Sequence, residues 1–346
     1  MKFVNQKAEI IIKSQNKLKN IAEIARVCYK SNIESNSENN AKLINNLISN
    51  KHFAMLEHED FIFDISHIFQ EQFQKRIALI ENYYGKKIYL LITQNTISGN
   101  IRAWRDFYKY CFLLDKQGII QYLGEDLEPF PIPVRFKDNI FFSDIFENQI
   151  ISLIKSDKPY YYYIDNSSDF CMIEKGDLLE KNDILAHYRV SAKIICDRGI
   201  SHEIVRHRNF SFAQESTRYV NYQNKEMQFI DYSDFLNKQD NHDYFVFCHN
   251  SEDCAMNYNH LVVNGNAPQI ARGILPHNLK TEIVVTGNIC VWLHFFNLRL
   301  FERTGKAHPM IKQLAKQLFD DFEQKTPISR NLIVDWSNKM WEYEKE

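Results

Sequence analysis

Leu43, Ile44, Leu47 and Ile48 recur at intervals of three and four between polar neighbours. That spacing lays one apolar stripe along a helix and predicts an amphipathic helix over residues 40–50. The period then shortens to two: Phe61, Phe63 and Ile65 alternate with Asp60, Asp64 and Ser66, which predicts a half-buried strand. A second alternation, Tyr188, Val190, Ala192 and Ile194, runs into Asp197-Arg198-Gly199, read as a turn that feeds a short helix bearing Arg206, with Asn209-Phe210-Ser211 as its stop. Further on, Asn278 is a candidate N-cap, and the pattern from there to Arg303 reads as one long helix. Glycine inside a helix costs about 1 kcal/mol relative to alanine, so close packing is expected at Gly287. The polar segment 231–258 reads as a surface excursion, the run Tyr160 to Tyr163 after Pro159 as a strand, and the tail beyond Pro327, with Trp336 and Trp341, as a terminal helix.

Helical geometry adds two expectations at about 100° per residue. Asn288 and Arg299, eleven apart, return to nearly the same face, while Cys290 and His294 point to the other side, so one helix offers polar groups in two directions. Arg206 and Arg208 diverge by about 200°, so they are free to address different ligands. An echo joins two distant segments. Ser98-Gly99-Asn100-Ile101-Arg102-Ala103-Trp104-Arg105-Asp106-Phe107-Tyr108 aligns without gaps to Thr286 through Phe296, sharing Gly, Asn, Ile, Trp and Phe.

Composition narrows the possible partners. The 346 residues carry 42 basic and 44 acidic side chains, with a sequence pI near 6.6, so anion binding must be local and no nucleic-acid partner is expected. Seven cysteines without a C-x-x-C pair suit a reducing compartment. Cys248 and Cys254 with His242, His249 and His260 fit no standard zinc spacing, and no metal is expected. The first residues lack an apolar signal core, and no run approaches the ~18 apolar residues of a membrane span, so a soluble cytoplasmic protein without a membrane partner is expected.

The densest chemistry lies in Arg206-His207-Arg208-Asn209-Phe210-Ser211-Phe212-Ala213-Gln214-Glu215-Ser216-Thr217-Arg218-Tyr219. Guanidinium groups grip phosphate oxygens bidentately and stay charged at any working pH, so three of them here predict a phosphate-bearing ligand. A solvated basic face is the bland alternative, weakened by the polar, mostly non-acidic neighbours. No base stands beside Ser216, which argues against a serine nucleophile, and no cysteine lies in the motif. The glycine fingerprint of a Rossmann fold is absent.

This segment resembles the R-H-R-x7-S signature of the flavin-dependent thymidylate synthases. Three patches agree in order: His52 with Glu57-His58-Glu59-Asp60-Phe61-Ile62-Phe63; Ala271-Arg272-Gly273-Ile274-Leu275-Pro276 followed by Thr281; and Asn288 through His294-Phe295 to Arg299. The resemblance implies an α+β fold, a mixed sheet with packed helices of the thymidylate synthase-complementing type. It implies one domain over residues 1–325, with an insertion at 67–183 and a tail at 326–346, and a homotetramer with sites between subunits. The implied reaction is reductive methylation of dUMP to dTMP, with FAD as cofactor and NADPH and 5,10-methylenetetrahydrofolate as cosubstrates. Carried over by residue, Arg206, His207, Arg208, Asn288 and His294 become flavin contacts, and Glu203, Gln214, Ser216, Arg218, Arg272 and Arg299 nucleotide contacts. His52 is placed near the flavin ring and the folate. Arg218, Arg299, Ser216 and His52 are the candidate catalytic residues. Cys290 stands where the family commonly has arginine, Ala213 replaces an asparagine, and Glu203 and Gln214 look like the family's Gln and Glu exchanged. The alternatives are methylation of another uracil nucleotide such as UMP, and a non-catalytic phosphate or nucleic-acid binding relative.

Overall fold

The computed structural model describes residues 1–346 except 15, 32, 66, 93–95, 117–169, 173–186, 237–240, 327 and 344–346. Along the chain run β1 (Lys2–Val4), β2 (Lys7–Ile10), α1 (Lys17–Tyr29), α2 (Ser37–Ser49), a 3-10 turn (Phe53–His58), β3 (Asp60–Ile65), α3 (His67–Tyr84), β4 (Leu91–Ile92), β5 (Thr96–Asn100) and α4 (Ile101–Lys116). Then come β6 (Phe170–Met172), β7 (Arg189–Asp197), α5 (Arg198–Ile204), β8 (Ser211–Gln214), β9 (Gln228–Ile230) and α6 (Asn241–Val263). The short α7 (Pro268–Ala271), β10 (Lys280–Asn288), α8 (Ile289–Arg299), α9 (Pro309–Lys325) and α10 (Arg330–Tyr343) complete it. The tyrosine run at 160–163 lies outside the described residues.

The chain forms two compact units, one of Met1–Ile12, Glu23–Glu34 and Val190–Glu346, the other of Lys13–Ala22 and Ser35–Arg189. The architecture is α+β. In the first unit a four-stranded sheet runs in the order β2-β7-β10-β8, with β2–β7 and β10–β8 antiparallel, while β1 pairs in parallel with β9. Edge strand β2 leaves alternate N–H groups facing outward, which α9 satisfies. Ala8 N–H donates to Gln317 Oε1 at 2.7 Å and Ile10 N–H to Asp321 Oδ2 at 2.8 Å. Two residues of strand and four of helix advance by nearly the same length, about 6–7 Å, so one row of α9 side chains tracks the edge and protects it.

The reading of Asn278 to Arg303 as one helix is corrected. Lys280–Asn288 is a strand, and the helix occupies Ile289–Arg299. Thr281, Ile283, Val284, Val285 and Thr286 are all buried, so this strand is covered on both faces and shows no alternation. A continuous apolar run does not separate strand from helix by period alone; its place between β7 and β8 makes it a strand, which its β-branched side chains suit. Asn278 caps nothing; its Nδ2 donates to Ser251 Oγ at 2.7 Å. The N-cap is Asn288, whose Oδ1 accepts from Val291 N–H at 3.1 Å. Close packing at Gly287 does occur, although in a strand: a Cβ there would stand 2.5 Å from two ring carbons of Phe210. The short helix also ends earlier than expected, at Ile204, which leaves Arg206 in the turn that follows. Ser211, read as part of the stop, opens β8.

The alternation before Asp197 is a strand as expected, with Val190, Ala192 and Ile194 buried. Segment 231–258 is largely the start of α6, whose Ser251, Ala255 and Tyr258 are buried. The tail forms the terminal helix α10.

In the second unit the sheet order is β4-β5-β3-β6, and Phe73, Trp104 and Phe107 pack between α3 and α4. The helix expected over 40–50 is α2, with Ile44, Leu47 and Ile48 buried. The sequence echo is also structural: Asn100 Oδ1 accepts from Ala103 N–H at 2.8 Å, as Asn288 does from Val291. Trp104 meets Phe107 edge-on at 6.3 Å, and Trp292 meets Phe295 edge-on at 5.7 Å. Arg102, where α8 has Cys290, pairs with Glu57 at 2.5 Å.

Candidate active site

Three segments of the first unit converge where α5, the turn after it and α8 meet. Asp197 closes β7 and starts α5, its Oδ1 accepting from Ile200 N–H at 2.6 Å. The chain leaves α5 at Val205 and turns, and Phe210 seats against Gly287 and edge-on to Trp292 at 4.7 Å. This contact holds the Arg206-His207-Arg208 turn against α8.

Arg299, the last residue of α8, joins two other site residues. Its NH1 donates to Glu203 Oε2 at 3.1 Å and its Nε to His207 Nε2 at 3.1 Å. Because Nε2 accepts, the ring proton of neutral His207 is assigned to Nδ1. Burial, with Arg299, His294 and Arg206 adding repulsion, pushes the His207 pKa down to about 4. The His294 ring lies 6.1 Å from that of His207. His294 and Arg299 therefore both reach His207, where the helical wheel separated them, because the turn wraps the end of α8. Asn288 is not a helical position on the Arg299 face; its carbonyl oxygen is spent on the cap.

The second cluster lies on β8 and β10. Gln214 Nε2 donates to Ser201 Oγ at 2.8 Å and Thr281 Oγ1 at 3.3 Å. Arg272 NH1 donates to Thr217 Oγ1 at 3.0 Å. Ser216 Oγ accepts from Arg218 N–H at 3.3 Å, and Ser216 N–H is held by Cys28 O at 2.9 Å. Arg218 is exposed over the ring of Tyr219, 5.4 Å from its centroid. Arg206, Arg208, Arg218 and Arg272 are all exposed, and among the described residues none has a carboxylate partner.

Two residues here escape the sequence reading. Arg198, in the sequence only one member of a turn, sends NH1 to Glu215 O at 3.2 Å and Thr281 Oγ1 at 3.4 Å, and Arg272 is close enough to repel it. Its signal is its place at the head of the helix leading to Arg206. Glu215 is 2 % exposed and holds Tyr222 OH at 2.9 Å, with Lys280 Nζ and Lys30 Nζ each at 3.5 Å. It anchors the backbone between Gln214 and Ser216, and nothing in the local sequence distinguishes it from a solvated glutamate. His52 belongs to the other unit, at the head of the 3-10 turn. Among the described residues no group of His, Cys, Asp and Glu is placed to hold a metal ion, and no helix is long and apolar enough to cross a membrane.

A four-stranded sheet with packed helices, and exposed arginines in the turn after α5 and beyond it, define an α+β protein that presents guanidinium groups on one unit. The profile of the family described as "Thymidylate synthase complementing protein" matches residues 9–82 and 176–328, more than half of the chain, and the chain belongs to that family. It is 29% identical over 140 residues to a flavin-dependent thymidylate synthase of Synechocystis, covering 38% of this chain and 65% of the relative. It is 31% identical over 144 residues to that of Pyrococcus furiosus (41% and 56%), and 32% over 152 residues to that of Corynebacterium efficiens (37% and 59%). The matches thus span less than two thirds of these relatives' own length. A solved structure of the UMP/dUMP methylase PolB from Streptomyces cacaoi, bound with 5-Br dUMP, is similar at 20% identity and a TM-score of 0.38, over 44% of this chain and 74% of that one.

Proposed function

We propose that the chain catalyses the reductive methylation of dUMP to dTMP with methylenetetrahydrofolate, FAD and NADPH. The observation that carries this reading is the set of four exposed, carboxylate-free guanidiniums of Arg206, Arg208, Arg218 and Arg272, gathered with Arg299 and a neutral His207 on one unit. Guanidiniums without a carboxylate partner supply the donors that phosphate and diphosphate groups need, so this donor set fits both a nucleotide and a flavin dinucleotide. The names of the relatives support the same chemistry.

In this reading Ser216, Arg218, Arg272, Glu203, Gln214 and Arg299 bind and orient the nucleotide, and Arg198 reinforces Arg272 on its phosphate. Ser216 orients substrate and is no nucleophile. Arg218 and Arg299 stabilise negative charge that develops on the uracil ring and its carbonyl oxygens. Glu203 holds Arg299 in place for that role. Arg206, His207, Arg208, Asn288 and His294 hold the flavin, with the Nδ1–H of His207 as a donor, and His52 faces the folate. A bound flavin supplies the redox step as a hydride carrier; the protein supplies position and charge. Residues 67–183 are read as an insertion into one domain spanning 1–325, of which 83–175 falls in the gap between the two matched segments, and the chain acts as a homotetramer.

The test is the visible spectrum of the purified chain with FAD, followed by anaerobic NADPH, methylenetetrahydrofolate and dUMP, with nucleotides separated and counted. Flavin retention and dTMP formation are expected. A folded chain that binds no flavin overturns the reading, and turnover of UMP equal to or above that of dUMP replaces the substrate.

A further inference from the structure

The end of α1 meets the segment that follows β8, and both lie in the first unit. Ser216 N–H donates to Cys28 O at 2.9 Å, the ring of Tyr29 stands 5.8 Å from that of Tyr219, and Lys225 Nζ donates to Lys30 O at 2.6 Å. Three successive residues thus hold segment 216–225 at its start, in its middle and at its end. The side chain of Lys30 joins them: its Nζ lies 3.5 Å from Glu215 Oε1 and 5.5 Å from the centroid of the Tyr222 ring. The backbone at Lys30 is the unexpected part. Ser31 N–H donates to Arg26 O at 3.2 Å and Lys30 N–H to Val27 O at 3.3 Å, the two bonds of a helix stop that needs one left-handed residue. Lys30 is that residue, at φ 47°. Glycine usually fills the position, because a Cβ in that conformation crowds a backbone carbonyl. A side chain kept there at a cost in strain points to a task for it.

Glu215 supplies the task. It is 2% exposed and stands between Gln214 and Ser216, so little water screens its charge, and a bare carboxylate there would repel a phosphate held by its neighbours. Lys30 and Lys280 flank it at 3.5 Å each, Lys280 also pairs with Glu282, and Glu282 with Lys193 at 2.7 Å. Lys280 is therefore shared with a second carboxylate, whereas Lys30 pairs, among the described residues, with Glu215 alone. We propose that Lys30 is a positioning residue for the nucleotide: its ammonium group cancels the charge of Glu215 and fixes the backbone that carries Gln214 and Ser216. This role rests on the reading of the site as one for a uracil nucleotide. An exposed ion pair contributes little; this one differs in that its carboxylate is buried.

Titration of the whole chain with dUMP, alongside flavin retention and urea unfolding, tests the role. Lys30→Gly and Lys30→Ala both remove the ammonium group, so each should bind dUMP about tenfold more weakly than wild type while retaining flavin. Alanine keeps the left-handed strain and glycine does not, so Lys30→Gly should unfold at a higher urea concentration than Lys30→Ala. A merely structural role would make the more stable of the two the better binder. Lys30→Arg should recover most of the affinity. In Glu215→Gln the carboxylate to be cancelled is gone, so adding Lys30→Gly to it should cost less than about twofold. A Lys30→Gly chain that binds dUMP as tightly as wild type overturns the role. So does affinity that follows urea stability across the glycine and alanine variants, a Lys30→Arg chain no better than Lys30→Gly, or a Lys30→Gly step as costly beside Glu215→Gln as alone. In each of these outcomes wild type still binds dUMP, and the reading of the site stands. A folded wild-type chain that binds no dUMP overturns that reading and this role together.

Discussion

Gly287→Ala tests whether the Arg206-His207-Arg208 turn is set by packing against β10. The added Cβ would lie 2.5 Å from Phe210 Cδ1 and Cε1 and 3.3 Å from Val291 Cβ. Carbon atoms settle at about 3.5–4.0 Å, so the ring has to move by about 1 Å. It has little room, because Trp292 stands edge-on at 4.7 Å and Phe295 and Phe212 at 6.2 Å each. Overpacking of this kind costs about 1–3 kcal/mol, and the displaced ring carries His207, three residues upstream, away from Arg299. The measurement is urea unfolding of Gly287→Ala, Phe210→Leu and the double variant, together with nucleotide affinity. Because the smaller side chain makes room for the methyl group, the double variant should recover about 1 kcal/mol or more relative to the sum of the singles. Strict additivity, or a Gly287→Ala protein within about 0.5 kcal/mol of wild type, would refute the argument. Gly99→Ala is the control: its Cβ meets the end of the flexible, half-buried Leu90 side chain, which can swing aside, so it should cost less.

Three further outcomes follow from the same geometry. Glu215→Gln removes the buried carboxylate shared by Tyr222, Lys30 and Lys280, while Lys280, 4% exposed, keeps Glu282, so urea unfolding should show a loss of about 1–3 kcal/mol; a variant within about 0.5 kcal/mol of wild type would show that Glu215 anchors nothing. His207 has its pKa depressed to about 4, so the unfolded chain binds the extra proton between that value and the ordinary 6.5. Its contribution to stability is therefore full above pH 6.5 and lost as pH falls toward 4, with a slope of up to about 1.4 kcal/mol per unit; His207→Gln should flatten that part of the stability profile, and an unchanged profile would contradict the burial. Arg218→Ala should weaken dUMP binding tenfold or more while flavin retention stays, read by titrating each ligand separately; joint loss of both in a folded protein would contradict the separate roles.

Much of this protein is written locally. The strand at Asp60–Ile65, the helix at Ser37–Ser49 and the strand running to Asp197 each follow from the period of their own apolar residues. The arginine-rich signature is legible for the same reason, since guanidinium chemistry depends on residue type and spacing. Lys280–Asn288 reads as helix in the sequence because a strand buried on both faces loses its alternation, and only its neighbours β7 and β8 make it a strand. What the sequence determined alone is the elements whose own period is clear and the residue types of the arginine-rich signature. Tertiary structure decided which groups meet: Arg299 on Glu203 and His207, Gly287 against Phe210, and Glu215 among Tyr222, Lys30 and Lys280. Those contacts join residues far apart in the chain, and their strength depends on burial and mutual distance, which no single segment carries.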